Sequence, residues 1–188
     1  MRNDVYNNRF NIPVIHSLDP IYETLMEDPV RIYVMANTVL IGHIGLVIGE
    51  GEDAWLYDPA GSYTGCKENK CDGSIITKRG SGDFFEYPDF NWDDYLDYHR
   101  QDGESVVVIE FIIPKEQAKL LKEIILEHGG GGIADCASQV AAVLQASGGI
   151  FKNLGTGFRT PIGLKHELIE FHHKKGLLPY ALFVPNAY

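Results

Sequence analysis

The chain has 188 residues, of which 45% are hydrophobic and 22% charged, and this composition suits one soluble domain with a sizeable core. Its 26 acidic and 16 basic residues give a net charge of −10 with no Lys/Arg cluster, which argues against nucleic acids and anionic membrane surfaces as partners. No apolar run reaches the roughly 20 residues of a membrane span, and residues 1–11 lack a secretory signal. We therefore expect a protein made in the cytoplasm that is exported, if at all, by a route that needs no signal peptide.

The first half of the chain predicts strands joined by a hairpin. A short helix is expected from Asp19, since the proline after it suits the first helical position, and residues 30–36 alternate weakly, as a strand does. Residues 38–58 form two strand-like runs around Glu50-Gly51, which predicts a β-hairpin with a two-residue loop. Residues 59–103 are expected to be a long loop or insertion. It ends in an aromatic patch that we interpret as core packing: Phe90, Trp92, Tyr95, Leu96 and Tyr98.

The second half of the chain predicts mostly helices. The expected elements are a buried strand at 105–113, helices that begin near Pro114, Cys136 and Pro161, and a final strand at 180–184. Glycines stop the first two of these helices. The whole pattern predicts an α+β fold in a single domain over residues 1–188, with a mostly antiparallel sheet and helices packed against it.

Cys136 stands in the first turn of a predicted helix. A glycine run from Gly129 leads into Asp135, a good N-cap residue. The thiol would lie beside unpaired backbone N–H groups and the positive end of the helix dipole, and both favour a thiolate. The Asp135 carboxylate should act in the opposite direction and raise the pKa of the thiol. The position suits a catalytic nucleophile, although a buried, inert thiol is the commoner fate of a lone cysteine.

The other two cysteines, Cys66 and Cys71, share one polar loop. We expect two free, solvated thiols there, and they could pair with each other in an oxidising compartment. A zinc site would need two more ligands, which no nearby His or Cys pair supplies. The sequence therefore predicts no metal and no cofactor.

A catalytic cysteine needs a base, and the chain offers seven histidines. Three lie at expected helix C-termini: His128, His172 and His173. Two are expected at solvent-facing helical positions, His99 and His166, and His16 lies in the N-terminal arm. His43 alone lies within an apolar strand. With a two-residue hairpin loop it would face Asp58 directly across the hairpin, and opposed residues project to the same face with Cβ atoms ~5 Å apart. Asp58 could then orient His43 as a third triad member, whereas a purely structural His43 is the alternative.

The residues around these three positions resemble a known family. Residues 135–140 (D-C-A-S-Q-V) resemble the D-C-S-G-x-V start of the catalytic helix in NlpC/P60 papain-like cysteine hydrolases. Residues 42–47 (G-H-I-G-L-V) resemble their G-H-x-G strand, and residues 160–164 (T-P-I-G-L) are similar to a helix of the permuted members. The order His43, Asp58, Cys136 matches the circularly permuted branch. The likeness covers less than half of the chain, the family's glycine after D-C-S is replaced, and residues 59–103 have no counterpart.

The resemblance implies a fold, an activity and partners. The fold would be papain-like, with Cys136, His43 and Asp58 as catalytic triad. The substrate would be a peptide or isopeptide bond in peptidoglycan. Some type VI secretion effectors have folds of this kind and lack a signal peptide, so a cognate immunity protein or a secretion-system component would be a partner. The alternatives are a protein glutamine deamidase or an acyltransferase that uses the same site, and a catalytically inert binding module.

Overall fold

A computed structural model of the protein describes residues 14–15, 28–39, 42–61, 63, 65, 84–87, 89–101, 106–132, 134–155 and 157–174. Four sequence-based expectations fall outside these residues. They are the helix that begins at Asp19, the final strand at 180–184, the position of His16, and the state of Cys66 and Cys71.

A mixed sheet of six strands forms the centre of the described structure. Its strands are β1 (Val14–Ile15), β2 (Pro29–Asn37), β3 (His43–Ile48), β4 (Trp55–Tyr57), β5 (Phe84–Glu86) and β6 (Val106–Pro114). The spatial order is β1-β6-β2-β3-β4-β5. β1 pairs with β6 in parallel, and the other four pairings are antiparallel. The predicted strands at 30–36 and 105–113 are confirmed as β2 and β6, the long central pair.

In the described part of the chain, four α-helices pack on the two faces of this sheet. They are α1 (Trp92–Arg100), α2 (Lys115–His128), α3 (Cys136–Ala146) and α4 (Pro161–Lys174). Apolar residues of α2, α3 and α4 share one core cluster with alternate residues of the strands. The intervening strand residues face the opposite way and share a second cluster with α1 and its aromatic side chains. Both faces are therefore covered, which explains why β2 and β6 read as near-continuous apolar runs.

The β3–β4 hairpin has a different register from the one predicted. A two-residue loop would oppose Val47 to Ala54, whereas Val47 pairs with Leu56. A short 3₁₀ turn at Gly51–Asp53 lengthens the connection and shifts the pairing by two residues. Because side chains alternate with a period of two, a two-residue shift leaves every side chain on its predicted face. His43 is therefore not directly opposite Asp58, but the two still share a face.

The coarse fold prediction is confirmed as α+β, with an antiparallel sheet of five strands, β2 to β6, extended by the parallel β1. The helices expected near Pro114, Cys136 and Pro161 are all present. Among the described residues no helix is both long enough and apolar enough to cross a membrane.

Candidate active site

His43 is the first residue of β3, at the end of the strand nearest to the start of α3. It pairs with Asn37 at the end of β2. The turn before it depends on Gly42, which has φ of 73°, a value that L-residues with a side chain rarely adopt. A Cβ atom at Gly42 would lie 2.6 Å from the Asn37 carbonyl oxygen and 3.1 Å from the Pro161 Cβ. The glycine thus lets the start of α4 pack closely beside His43.

Asp58 follows β4 directly and is completely buried. Its Oδ1 atom lies 2.5 Å from His43 Nε2 and accepts a second hydrogen bond, at 2.7 Å, from the Tyr95 hydroxyl. Extending the observed register by one residue places Gly45 opposite Asp58. A Cβ atom at Gly45 would overlap the Tyr95 hydroxyl, and one at Gly61 would overlap the Asp58 carboxylate. Two glycines therefore make the space in which the carboxylate is held.

Cys136 is the first residue of α3, as predicted, and only 4% of it is exposed. The expected cap is only partly present. Asp135 occupies the N-cap position but has helical dihedral angles, and its side chain makes no capping hydrogen bond. Instead its Oδ2 atom accepts a hydrogen bond from the Gly132 backbone N–H at 3.2 Å. Because this carboxylate turns back toward the glycine segment, it does not occupy the N–H groups at the start of α3.

Three groups act on the sulfur of Cys136 through hydrogen bonds. It shares a hydrogen bond with His43, and the backbone groups of Ile44 and Ala137 also bond to it. Burial raises the pKa of the thiol, but the hydrogen bond and positive charge of His43, with the two backbone groups, outweigh burial and lower the pKa below its usual value. The expected increase from Asp135 is not one of the five largest influences on this pKa. The site favours a thiolate.

The surroundings of His43 favour its protonated, cationic form. Burial alone would lower the pKa of His43, but the charge and hydrogen bond of Asp58, followed by the contact with Cys136, raise the pKa to about 10. Burial also acts on Asp58 by raising its pKa, yet the charge and hydrogen bond of His43 and the Tyr95 hydroxyl bond keep the pKa below its usual value. Since Nε2 of His43 bonds to Asp58, Nδ1 is the atom left to face the sulfur. These pKa shifts favour the charged form of each group: a thiolate at Cys136, an imidazolium at His43 and a carboxylate at Asp58.

Two side chains of this site were not anticipated from the sequence. His99 was predicted to face solvent, and this was wrong, because it is 3% exposed and its ring lies parallel to that of His43. Tyr95 was interpreted only as core packing, yet its hydroxyl bonds to Asp58. Trp92, Tyr95, Leu96 and His99 are spaced along one face of α1, and this periodicity is a sequence signal that could have indicated that His99 faces inward. The prediction that His166 is solvent-facing and that His128 ends a helix is correct.

His43, Asp58 and His99 also have the chemistry of metal ligands. One ligand atom from each lies within 4.8 Å of the others. However, the 2.5 Å between His43 Nε2 and Asp58 Oδ1 is a hydrogen-bond distance. Ligands of one tetrahedral zinc ion, each ~2.0 Å from the metal, would lie ~3.3 Å apart. The arrangement therefore fits a shared proton between the two side chains better than a shared metal ion.

No protein-family model matches this chain, and neither a curated protein nor a solved structure matches it. Function must therefore be argued from the chemistry of the site itself.

Proposed function

We propose that the protein is a papain-like cysteine hydrolase that cleaves an amide bond, with Cys136 as nucleophile, His43 as acid and base, and Asp58 as the residue that orients His43. One observation carries the proposal: the His43 ring joins the other two groups, because its Nε2 lies 2.5 Å from the buried Asp58 carboxylate and the ring also shares a hydrogen bond with the thiol of Cys136 at the start of α3. A nucleophile, a base and a group that orients the base are the three parts that covalent catalysis by a thiol requires.

The first half of the reaction would form a thioester. The Cys136 thiolate attacks the amide carbonyl carbon, and the carbonyl oxygen becomes an oxyanion. The backbone N–H of Cys136 is one of the helix-start amides without an intrahelical acceptor, so it is available to donate to this oxygen. When the tetrahedral intermediate collapses, the carbon–nitrogen bond breaks and the His43 Nδ1–H protonates the leaving amine.

The second half would release the acid. His43 is now neutral and takes a proton from a water molecule, which attacks the thioester carbonyl. The carbon–sulfur bond breaks, Cys136 leaves as a thiolate, and His43 is again the imidazolium. Asp58 keeps its negative charge throughout and stabilises the charged state of His43, since it accepts hydrogen bonds from both His43 and Tyr95.

The order of the elements supports the papain-like interpretation, in its permuted form. The histidine strand and the aspartate come first, and the cysteine helix follows and packs on that strand's sheet. By the resemblance of residues 42–47 and 135–140 to NlpC/P60 hydrolases, we propose a peptide or isopeptide bond of peptidoglycan as substrate. A role as an antibacterial secreted effector with a cognate immunity protein is part of the same proposal.

Digestion of purified peptidoglycan tests this function. Wild type and Cys136→Ala are incubated with the substrate, and soluble products are identified by mass. We expect wild type to release fragments with one new amine and one new carboxylate, and Cys136→Ala to release none. Absence of cleavage by wild type, or equal cleavage by both proteins, would contradict the proposal. Release of ammonia from a protein glutamine, without peptide cleavage, would instead point to a deamidase.

Alkylation of the thiol separates an active site from an inert binding module. Iodoacetamide reacts with the thiolate, so modification of Cys136 at pH 6 to 7 reports its low pKa without any knowledge of the substrate. Labelled peptides are quantified by mass, with Cys66 and Cys71 as internal references. We expect the thiolate to persist at Cys136 at pH values where the reference thiols are protonated. A pH dependence at Cys136 equal to that of the references would contradict a catalytic cysteine.

A further inference from the structure

His99 covers one face of the His43 ring. The two ring centroids are 5.0 Å apart and the ring planes differ by 4°, which is an offset parallel stack. His99 comes from the last turn of α1, while His43 comes from the start of β3. The stack therefore joins the helix on one face of the sheet to the strand that carries the proposed base.

The position of His99 is itself fixed on several sides. The rings of Tyr95 and Tyr98 meet it edge-on, with centroids 4.6 Å and 5.1 Å away. Its backbone carbonyl accepts a hydrogen bond of 3.0 Å from the side chain of Asn37, the residue that pairs with His43 in the sheet. The ring is thus held from α1 and anchored to the strand next to β3.

Hydrogen bonds alone leave the His43 ring one freedom of movement. Nε2 bonds to Asp58, which leaves Nδ1 for the hydrogen bond with Cys136, and the N–H bonds of an imidazole lie in the plane of its ring. The ring can still rock about the line that joins these two nitrogens, and rocking would weaken both hydrogen bonds because they depend on angle. A flat surface against one side of the ring opposes this motion.

We propose that His99 is a positioning residue, which holds the His43 imidazole by stacking in the orientation where Nε2 meets Asp58 and Nδ1 meets Cys136. This inference rests on the proposed function, because it assigns His99 to the same site. His99 touches neither the sulfur nor the attacked bond in the mechanism above. It acts through His43.

Charge favours the same arrangement. The groups that face His99 are His43 from β3, Asp58 after β4, and Tyr95 and Tyr98 from α1. Burial, together with the charge of His43, lowers the pKa of His99 to about 4 in spite of the opposing charge of Asp58. His99 is therefore neutral near pH 7, and its π-face can lie against the imidazolium without repulsion. In the part of the chain that the structure describes, His99 Nε2 has no hydrogen-bond partner, so a hydrogen bond from that atom does not explain its place.

Substitution at position 99 tests the proposal. His99→Phe keeps a flat ring but removes both nitrogens, whereas His99→Leu and His99→Met keep an apolar side chain without a flat face. His166→Leu, on the exposed side of α4, controls for the loss of a histidine. For each protein the rate of Cys136 alkylation by iodoacetamide is measured from pH 5 to 10, and thermal unfolding shows whether the variant folds.

The measured quantity is the alkylation rate at pH 6 relative to that at pH 9. We expect His99→Phe and His166→Leu to keep the wild-type ratio, and His99→Leu and His99→Met to reduce it about tenfold as the imidazolium is held less well. An unchanged ratio in the folded Leu or Met variant would overturn the proposal and make His99 a core filler. A ratio reduced equally in the Phe variant would also overturn it and assign the role to the ring nitrogens.

The same experiment separates this inference from the proposed function. If wild type already alkylates like an ordinary thiol, the catalytic site itself is wrong. If wild type has the low-pH thiolate and the Leu and Met variants retain it, only the role of His99 is wrong.

Discussion

Asp58→Asn is the most direct test of the charges in the proposed site, because it removes the carboxylate beside His43. Asparagine has the same shape as aspartate, so its carbonyl oxygen can still accept the hydrogen bonds that His43 and Tyr95 donate to Oδ1. The negative charge is lost. Burial, the largest influence on His43, then lowers its pKa without an opposing carboxylate. We expect His43 to become neutral at pH 7 and Cys136 to revert to a thiol.

The size of the effect follows from the burial of the pair. Asp58 is 0% exposed and the His43 side chain 13% exposed, so water screens their interaction little. A hydrogen bond to a charged partner contributes roughly 1.5–3 kcal/mol and one to a neutral partner roughly 0.5–1.5 kcal/mol, so loss of the charge alone should remove about 1–1.5 kcal/mol. At about 1.4 kcal/mol per factor of ten, the thiolate fraction and the alkylation rate of Cys136 at pH 6 should fall about 5- to 15-fold. Cleavage of the substrate should fall by at least as much.

The assay is alkylation of Cys136 by iodoacetamide as a function of pH, with wild type and Asp58→Asn compared. Asp53→Asn, in the exposed turn between β3 and β4, is the matched control for loss of one carboxylate. We expect only Asp58→Asn to shift the profile to higher pH. Profiles of Asp58→Asn and wild type that superimpose would refute the reasoning, because Asp58 would then not support the charge of His43.

The free energy of unfolding should depend on pH because of the same pair, His43 and Asp58. The folded state raises the pKa of His43 from 6.5 to about 10, so this stabilisation is fully present below about pH 6.5 and is lost as pH rises toward 10. Asp58, whose pKa is lowered from 3.8, adds stability that is lost as pH falls through its folded value. The difference in unfolding free energy between wild type and Asp58→Asn, from urea titrations, should be largest near pH 4 to 6.5. A difference that grows from pH 6.5 to 10 would contradict this sign.

Two further substitutions test how Asp58 is held. Tyr95→Phe removes a buried donor at 2.7 Å from Asp58 and should lower the free energy of unfolding, measured in urea, by roughly 1.5–3 kcal/mol. The control Tyr87→Phe, at a 55% exposed residue, should change this free energy by less than about 0.5 kcal/mol. Equal effects of the two substitutions would contradict the hydrogen bond. Gly45→Ala places a methyl group on the Tyr95 hydroxyl and should cost roughly 1–3 kcal/mol. Adding Tyr95→Phe to Gly45→Ala should then cost less than the sum of the single effects, and strict additivity would contradict the overlap.

Much of the fold followed from local patterns. The β-branched runs predicted β2 and β6, and the helices near Pro114, Cys136 and Pro161 begin where proline or cap residues stand. The hairpin loop was predicted wrongly, because six residues, 49–54, which include the 3₁₀ turn at Gly51–Asp53, connect the paired strands where a two-residue loop was expected. The predicted faces of the side chains are nevertheless correct, because the register is shifted by two residues, which is the period of a strand.

The sequence by itself determined which chemical groups were available and on which local elements they stand: a thiol at a helix start, a histidine in an apolar strand, and a carboxylate on the same face of the next strand. These are short-range properties, set by backbone periodicity and capping. Only the tertiary structure decided that α1 packs over that face, so that Tyr95 donates to Asp58 and His99 stacks on His43. The physical reason is that burial and pKa depend on groups far apart in the chain: the spacing on α1 can indicate that His99 faces inward, but only the packing of α1 on the sheet brings it against His43, 56 positions away.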